Sequence, residues 1–321
     1  MKKKFIIGLL VTILVLALLA WALKDVSLAN IIQTLGQLSF SQIIFLLVLN
    51  AGIFLLFSLR WWLILRSQGY RLPYLALSRY RLASFGVSYF TPGPQFGGEP
   101  LQVLLLRDRH QIAGRDATAS VALDKLIELI ANFSFLVFAS GTVFLATPDL
   151  FGALDFNPLF SAMLLALPLV YLVLLWRGGK PISFLFFFKT EWQEKILEVE
   201  SQLVGLVRKQ PRLLIQTLAA SALIWLALIF EYQLALGFLG LSLGFSSVLT
   251  IMLMARIAML APTPGALGTL EAGLVFAIAL LGINPAYAVA LALLIRGRDI
   301  LFGSLGLLYA FSSGLLRKKT A

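Results

Sequence analysis

The sequence predicts an all-α, polytopic helical membrane protein with about six full spans and two re-entrant broken-helix hairpins arranged as an inverted repeat. Three observations carry that expectation. Of 321 residues, 60% are hydrophobic and only 13% charged, with mean hydropathy +0.93, which is far too apolar for a water-soluble domain. The apolar runs are near-continuous rather than alternating, which favours helices over a barrel. Finally, the stretch TPGPQFGGE, Thr91 to Glu99, is written again as TPGALGTLE, Thr263 to Glu271, sharing Thr, Pro, Gly and Glu at a constant offset of 172 residues. A Pro-Gly break followed by a carboxylate is tolerated at membrane depth only where the backbone is buried in protein or lines a polar cavity. The two copies therefore read as paired discontinuous elements meeting at a common substrate site.

Taken in order, Met1 to Lys4 holds three lysines and Phe5 to Leu23 is long enough to cross a bilayer. It exceeds a usual signal-peptide core and lacks a convincing cleavage site, so it reads as a retained first span with a cytoplasmic N-terminus. Leu28 to Gln42 suits an outer connection. Span two, about Ile43 to Leu59, ends in Arg60, Trp61 and Trp62, a pattern of snorkelling base and aromatic belt. Arg60, Arg66, Arg71, Arg79 and Arg81 follow without an acid, which places this connection in the cytoplasm. In the first hairpin, Leu82 to Phe90 and Pro100 to Leu106 are each too short to cross, and both flanks are basic. Gly93, Gly97 and Gly98 permit tight turns there, while Pro92 prevents helix continuation.

Span three, about Thr118 to Ala146, carries Asp124, Lys125 and Glu128 in its first turns, with Asp124 and Glu128 on one helical face. These charges either snorkel or face the interior; the nearby Glu99 and Arg107, which need partners, favour the interior. The single histidine, His110, reads as a solvated loop residue. Span four is about Phe160 to Trp176. Thr190 and Gln193 form a possible capping box, and Trp192, Ile196, Val199, Leu203 and Leu206 make an apolar stripe. An amphipathic helix over about 190–208, lying on the membrane, thus separates a first half (about 1–180) from a second (about 213–321) within one membrane domain. Span five, about Leu213 to Phe238, contains Glu231. The second hairpin, Phe245 to Leu281, breaks at Pro262, Pro264, Gly265 and Gly268, with Arg256 before the break. The last span, about Ala286 to Phe311, carries Arg296, Arg298 and Asp299, and Arg317 to Lys319 close the chain in the cytoplasm.

Parity then orients the hairpins. If the first enters from the cytoplasm, the second enters from outside, which is the inverted arrangement of transporters. Parity is unchanged if both members of each hairpin cross, so eight spans are equally compatible. The net charge of +11 lies between apolar runs and is better explained by topology and anionic headgroups than by nucleic acid. With no cysteine, disulfides and thiolate metal sites are excluded, and no cofactor or metal is expected.

These residues resemble the family of lysylphosphatidylglycerol synthase transmembrane regions, also called the flippase-like domain family. The family's Pro/Gly stretch ending in Gly-Glu is similar to PGPQFGGE, Pro92 to Glu99, although Gln95 and Phe96 stand where an arginine is often found. Its Pro-Thr-Pro-Gly-x-x-Gly-x-x-Glu is matched by PTPGALGTLE, Pro262 to Glu271. DKLIE, Asp124 to Glu128, keeps the charge order of its Glu-Arg-x-x-Asp. The resemblance covers about residues 5–312 and implies movement of an amphiphilic lipid across the cytoplasmic (inner) membrane. After Arg317 only four residues follow, so lipid aminoacylation by this chain is not expected, nor is enzyme activity.

On this reading Glu99 and Glu271 bind cationic groups or exchange protons, and Arg256, Arg296 and Arg298 hold a phosphate. Asp299 orients Arg298. The alternative for each arginine is a structural ion pair with Glu271, Asp299 or Glu231. The expected partners are membrane lipids, through their phospholipid headgroups, and a separate lipid-synthesising enzyme. No nucleotide-binding motif occurs, so transport would be downhill or ion-coupled. Two other classes compete. A glycosyl- or phosphotransferase on polyprenyl-phosphate lipids would use paired carboxylates and Mg²⁺, but the acids stand singly. A non-transporting partner of a lipid synthase would dock through the helix at 190–208.

Overall fold

The computed structural model describes residues 27–91, 97–146, 148, 158–185, 191–261 and 266–312, and all regular structure among them is helical. In chain order the helices are α1 (Leu28–Leu35), α2 (Phe40–Ser67), α3 (Tyr74–Phe90), α4 (Glu99–His110), α5 (Gly114–Ala146) and α6 (Pro158–Trp176). They continue as α7 (Pro181–Leu185), α8 (Glu191–Lys209), α9 (Pro211–Phe238), α10 (Phe245–Ala258), α11 (Thr269–Leu280) and α12 (Ala286–Ser312). The expected first span and Pro92, Gly93, Pro262, Pro264 and Gly265 lie outside the described residues, as does Thr190 of the expected capping box.

Length and apolarity make α2, α5, α6 and α9 able to cross a membrane, with mean hydropathy between 1.9 and 2.4 over their most apolar stretches. At 27 residues α12 is also of spanning length, but Arg296, Arg298 and Asp299 interrupt it. The helices beside the two breaks are shorter. The 14 residues of α10 and 12 of α11 reach roughly 21 and 18 Å, short of the ~30 Å hydrocarbon core.

The start of α2 is written locally. The Ser39 hydroxyl accepts from Gln42 N, and Gln42 Oε1 accepts from Ser39 N, a reciprocal cap. Its end departs from the sequence expectation, because the helix continues past Leu59 to Ser67. Arg60 and Trp61 are therefore interior residues, 1% and 0% exposed, and not an interfacial snorkel and belt. The partners that Arg60 finds inside the protein are the physical reason.

One other expectation is corrected, and a second gains a protein contact. His110 lies in the last turn of α4, and its Nε2 is 3.0 Å from the Tyr80 hydroxyl; it is half-buried rather than a solvated loop residue. Over the expected 190–208, α8 forms as a helix, but the Leu203 and Leu206 end of its stripe is buried with Ile64, Leu123 and Ile127 of α2 and α5. The outward face is the charged one, with Glu194, Lys195 and Glu198 exposed. Glu200, 1% exposed, turns inward and accepts from Ile182 N, Ser183 N, Ser183 Oγ and Tyr171 Oη. It thereby satisfies backbone donors at the start of α7 that would otherwise be orphaned, and ties α6, α7 and α8 together.

A shift of 172 residues carries α2 onto α9, α3 onto α10, α4 onto α11 and α5 onto α12, with every helix start matched to within two residues. The packing follows the same correspondence. Helix α3 lies on α12 as α10 lies on α5, α4 on α5 as α11 on α12, and α2 lies on its own counterpart α9. The α3–α12 crossing is backbone against backbone: a Cβ at Gly306 would collide with Leu82 O, and one at Gly86 would sit 2.5 Å from Gly303 O. Small residues permit this approach where apolar burial alone offers little drive for helix association.

Candidate functional site

Both breaks deliver a carboxylate to the first turn of a short helix. Glu99 opens α4, where its Oε2 accepts from Gly97 N at 2.9 Å, while Gly98 N donates to Ser88 Oγ of α3 at 2.9 Å. A carboxylate at a helix N-terminus meets unpaired N–H groups and the positive end of the helix dipole. Glu271 also lies in a first turn, as the third residue of α11. Gly268, just before that helix, has φ +75°, a conformation that a Cβ would strain, and Ala266 has φ +53°.

Each carboxylate is then held by a base from the next long helix. Lys125 Nζ of α5 reaches Glu99 Oε1 at 3.3 Å. Arg296 Nε of α12 reaches Glu271 Oε1 at 2.8 Å, and its Nη2 also donates to Ala266 O at 2.7 Å. The second clamp is the more enclosed, with side chains 10% and 11% exposed against 26% each for Glu99 and Lys125.

Around Lys125 the charges close into a network. Arg60 of α2 donates from Nε to Asp124 Oδ1 at 2.6 Å and from Nη2 to Glu128 Oε2 at 2.9 Å. Arg81 of α3 bridges the same two acids at 2.7 and 3.3 Å, and Lys125 bonds Glu128 at 2.8 Å. Arg60 Nη1 adds Ser221 Oγ of α9. Three bases face three acids, Glu99 included, and this balance is what permits six charges to sit inside an apolar bundle. A second cluster joins α2, α9 and α12. Arg298 donates to Glu231 Oε1 at 2.6 Å, to Asp299 Oδ1 at 2.9 Å and to Asn50 Oδ1 at 2.9 Å, and Asn50 Nδ2 in turn donates to Glu231.

Between the two clusters lies a cavity of about 380 Å³. Of the residues expected from the sequence, Glu99, Asp124, Lys125, Glu128, Arg256, Arg298 and Asp299 line it; Glu271 and Arg296 do not, being engaged with each other beside it. Gly97, Gly98 and Gly268 belong to the connections that position the carboxylates. Sequence reasoning missed Arg60, Arg81 and Asn50, which also line the cavity. For the two arginines the available signal was charge balance: Asp124 and Glu128, on one helical face, require cations, and the preceding helices supply them. Arg107 faces Gly114 instead.

Arg256 differs from the other cavity bases. Its guanidinium lies 4.9 Å from the centroid of the Trp225 ring, which stacks on Phe135 at 4.1 Å. Among the described residues no carboxylate comes within salt-bridge distance of it, and its buried Nε has no hydrogen-bond partner. A planar fork held against an aromatic face at a cavity wall is suited to receive a phosphate or carboxylate. Among the described residues no group of three or more His, Asp and Glu side chains has the arrangement of a metal site.

A search of curated proteins returns no match. The family model for the lysylphosphatidylglycerol synthase TM region matches residues 5–306, a span that includes both carboxylate-bearing breaks and every charged residue of the cavity, and the chain belongs to that family.

Proposed function

We propose that the protein is a lipid translocase of the cytoplasmic membrane, with both termini in the cytoplasm. A phospholipid headgroup passes through the central cavity while its acyl chains remain in the bilayer. The observation that carries this reading is Arg256, a guanidinium on the cavity wall with no carboxylate partner among the described residues, in a site whose other bases are neutralised. It serves as the phosphate seat. Arg296, engaged with Glu271 and Ala266 O, acts instead as the strut of the second hairpin, and Arg298 is oriented by Asp299 and Glu231. The shared 172-residue offset supports two halves related by a two-fold operation. A single crossing by α6 between them inverts the second half, so the hairpins enter from opposite faces. No chemical step is assigned to the site; its residues bind and guide a headgroup.

The test is reconstitution into liposomes containing a fluorescent phospholipid, with a membrane-impermeant quencher added outside. Wild type exposes the inner-leaflet probe faster than protein-free vesicles do. Arg256→Gln slows that exposure by about 10-fold or more, the worth of one charged hydrogen bond. Equal rates for Arg256→Gln and wild type, or for wild type and empty vesicles, would overturn the proposal.

A further inference from the structure

The end of the cavity near Arg256 is unbalanced in two directions at once. Among the described residues Glu231 and Asp299 face one base, Arg298, so one negative charge is left over there. Among the described residues the buried Glu231 Oε2 finds no donor. Asp299 spends Oδ1 on Arg298 Nε and lines the cavity. Arg256 is the complementary excess, a cation on the same cavity. Arg256, Arg298 and Asp299 all line this one cavity. The end near Lys125, by contrast, is saturated, with its three acids and three bases mutually bonded. A lone anion would satisfy Arg256 and leave the acidic excess; a lone cation would do the reverse. A ligand carrying both charges satisfies the pair.

We infer that the Arg256–Asp299 end of the cavity selects a zwitterionic headgroup, taking a phosphodiester on Arg256 and a primary ammonium on Asp299, in preference to a headgroup with a phosphodiester alone. This rests on the lipid reading of the same cavity and adds to it the class of headgroup. Glu231 supports the ammonium seat through Arg298: holding that guanidinium on two acids keeps it from neutralising Asp299 alone.

Equilibrium binding to the detergent-solubilised full chain, measured by calorimetry, tests it without requiring transport. The probes are dihexanoylphosphatidylethanolamine, dihexanoylphosphatidylglycerol and chain-free glycerophosphoethanolamine. Wild type binds the ethanolamine lipid about 10-fold more tightly than the glycerol lipid, the scale of one charge-assisted hydrogen bond. Asp299→Asn brings the ratio of the two affinities to near one, Asp299→Glu restores the preference, and Arg256→Gln weakens both lipids. A ratio near one in wild type, or a ratio that survives in Asp299→Asn, overturns the inference. Glycerophosphoethanolamine binding as tightly as the ethanolamine lipid overturns it too, because the site would then belong to a water-soluble zwitterion. Lost translocation with the preference intact would count against the translocase alone; a missing preference with translocation intact would count against the zwitterion site alone.

Discussion

Arg60→Met destabilises the protein by about 3–5 kcal/mol, the cost of leaving buried charges without their partner. The guanidinium is 1% exposed and bonds Asp124 and Glu128 of α5 and Ser221 of α9. Its loss leaves two bases, Arg81 and Lys125, to face Glu99, Asp124 and Glu128. The double variant Arg60→Met with Asp124→Asn restores two against two and recovers more than half of the loss. Unfolding by SDS titration in mild detergent measures both. Equal stability of the single and double variants would show that charge balance is not what the network supplies.

Gly306→Leu separates α3 from α12. A Cβ there meets the Leu82 carbonyl, and the neighbouring contacts of Gly86 with Gly303 and Leu307 are backbone too, so no side-chain rotamer can relieve the clash. Overpacking of this kind costs typically about 1–3 kcal/mol, and more where the obstacle is rigid. Because α12 also carries Arg296, Arg298 and Asp299, the displacement disturbs both the second hairpin's clamp and the cavity wall. The expected result is a smaller monodisperse fraction in size-exclusion chromatography and a lower thermal midpoint, with Gly306→Ala intermediate. A Gly306→Leu variant as stable as wild type would mean that the two helices do not pack backbone to backbone.

Hydropathy made α5, α6 and α9 legible to within a few residues, because long apolar runs bounded by charge have one good solution in a bilayer. The repeated Pro-Gly…Glu stretches located both carboxylate-bearing helix starts, since the backbone break and the acid at a helix N-terminus are local features. Arg60 was misread for the opposite reason. An arginine followed by two tryptophans after an apolar run has the same appearance at an interface as inside a bundle, and only the fold brings Asp124 and Glu128 to it. The stripe on α8 correctly predicted an amphipathic helix, but periodicity does not say whether lipid or α5 covers it. The contacts of Gly86 and Gly306 join residues far apart in sequence and leave no charge or periodic signal. Arg256 was legible as a residue and not as an exception: its lack of a carboxylate among the described residues became visible only once Arg296 and Arg298 were seen to have theirs.

Passage of a headgroup through the cavity between the two charged clusters is tested by blocking that space without touching a charge. Ala131 of α5 lines the cavity, and Ala131→Trp fills part of it while every ion pair around it remains available. In the liposome assay translocation is slowed by at least about 10-fold, a barrier increase of roughly 1.4 kcal/mol, in a protein whose elution profile and thermal midpoint match wild type. Unchanged translocation in a well-folded Ala131→Trp variant would contradict it and place the lipid's path elsewhere on the protein.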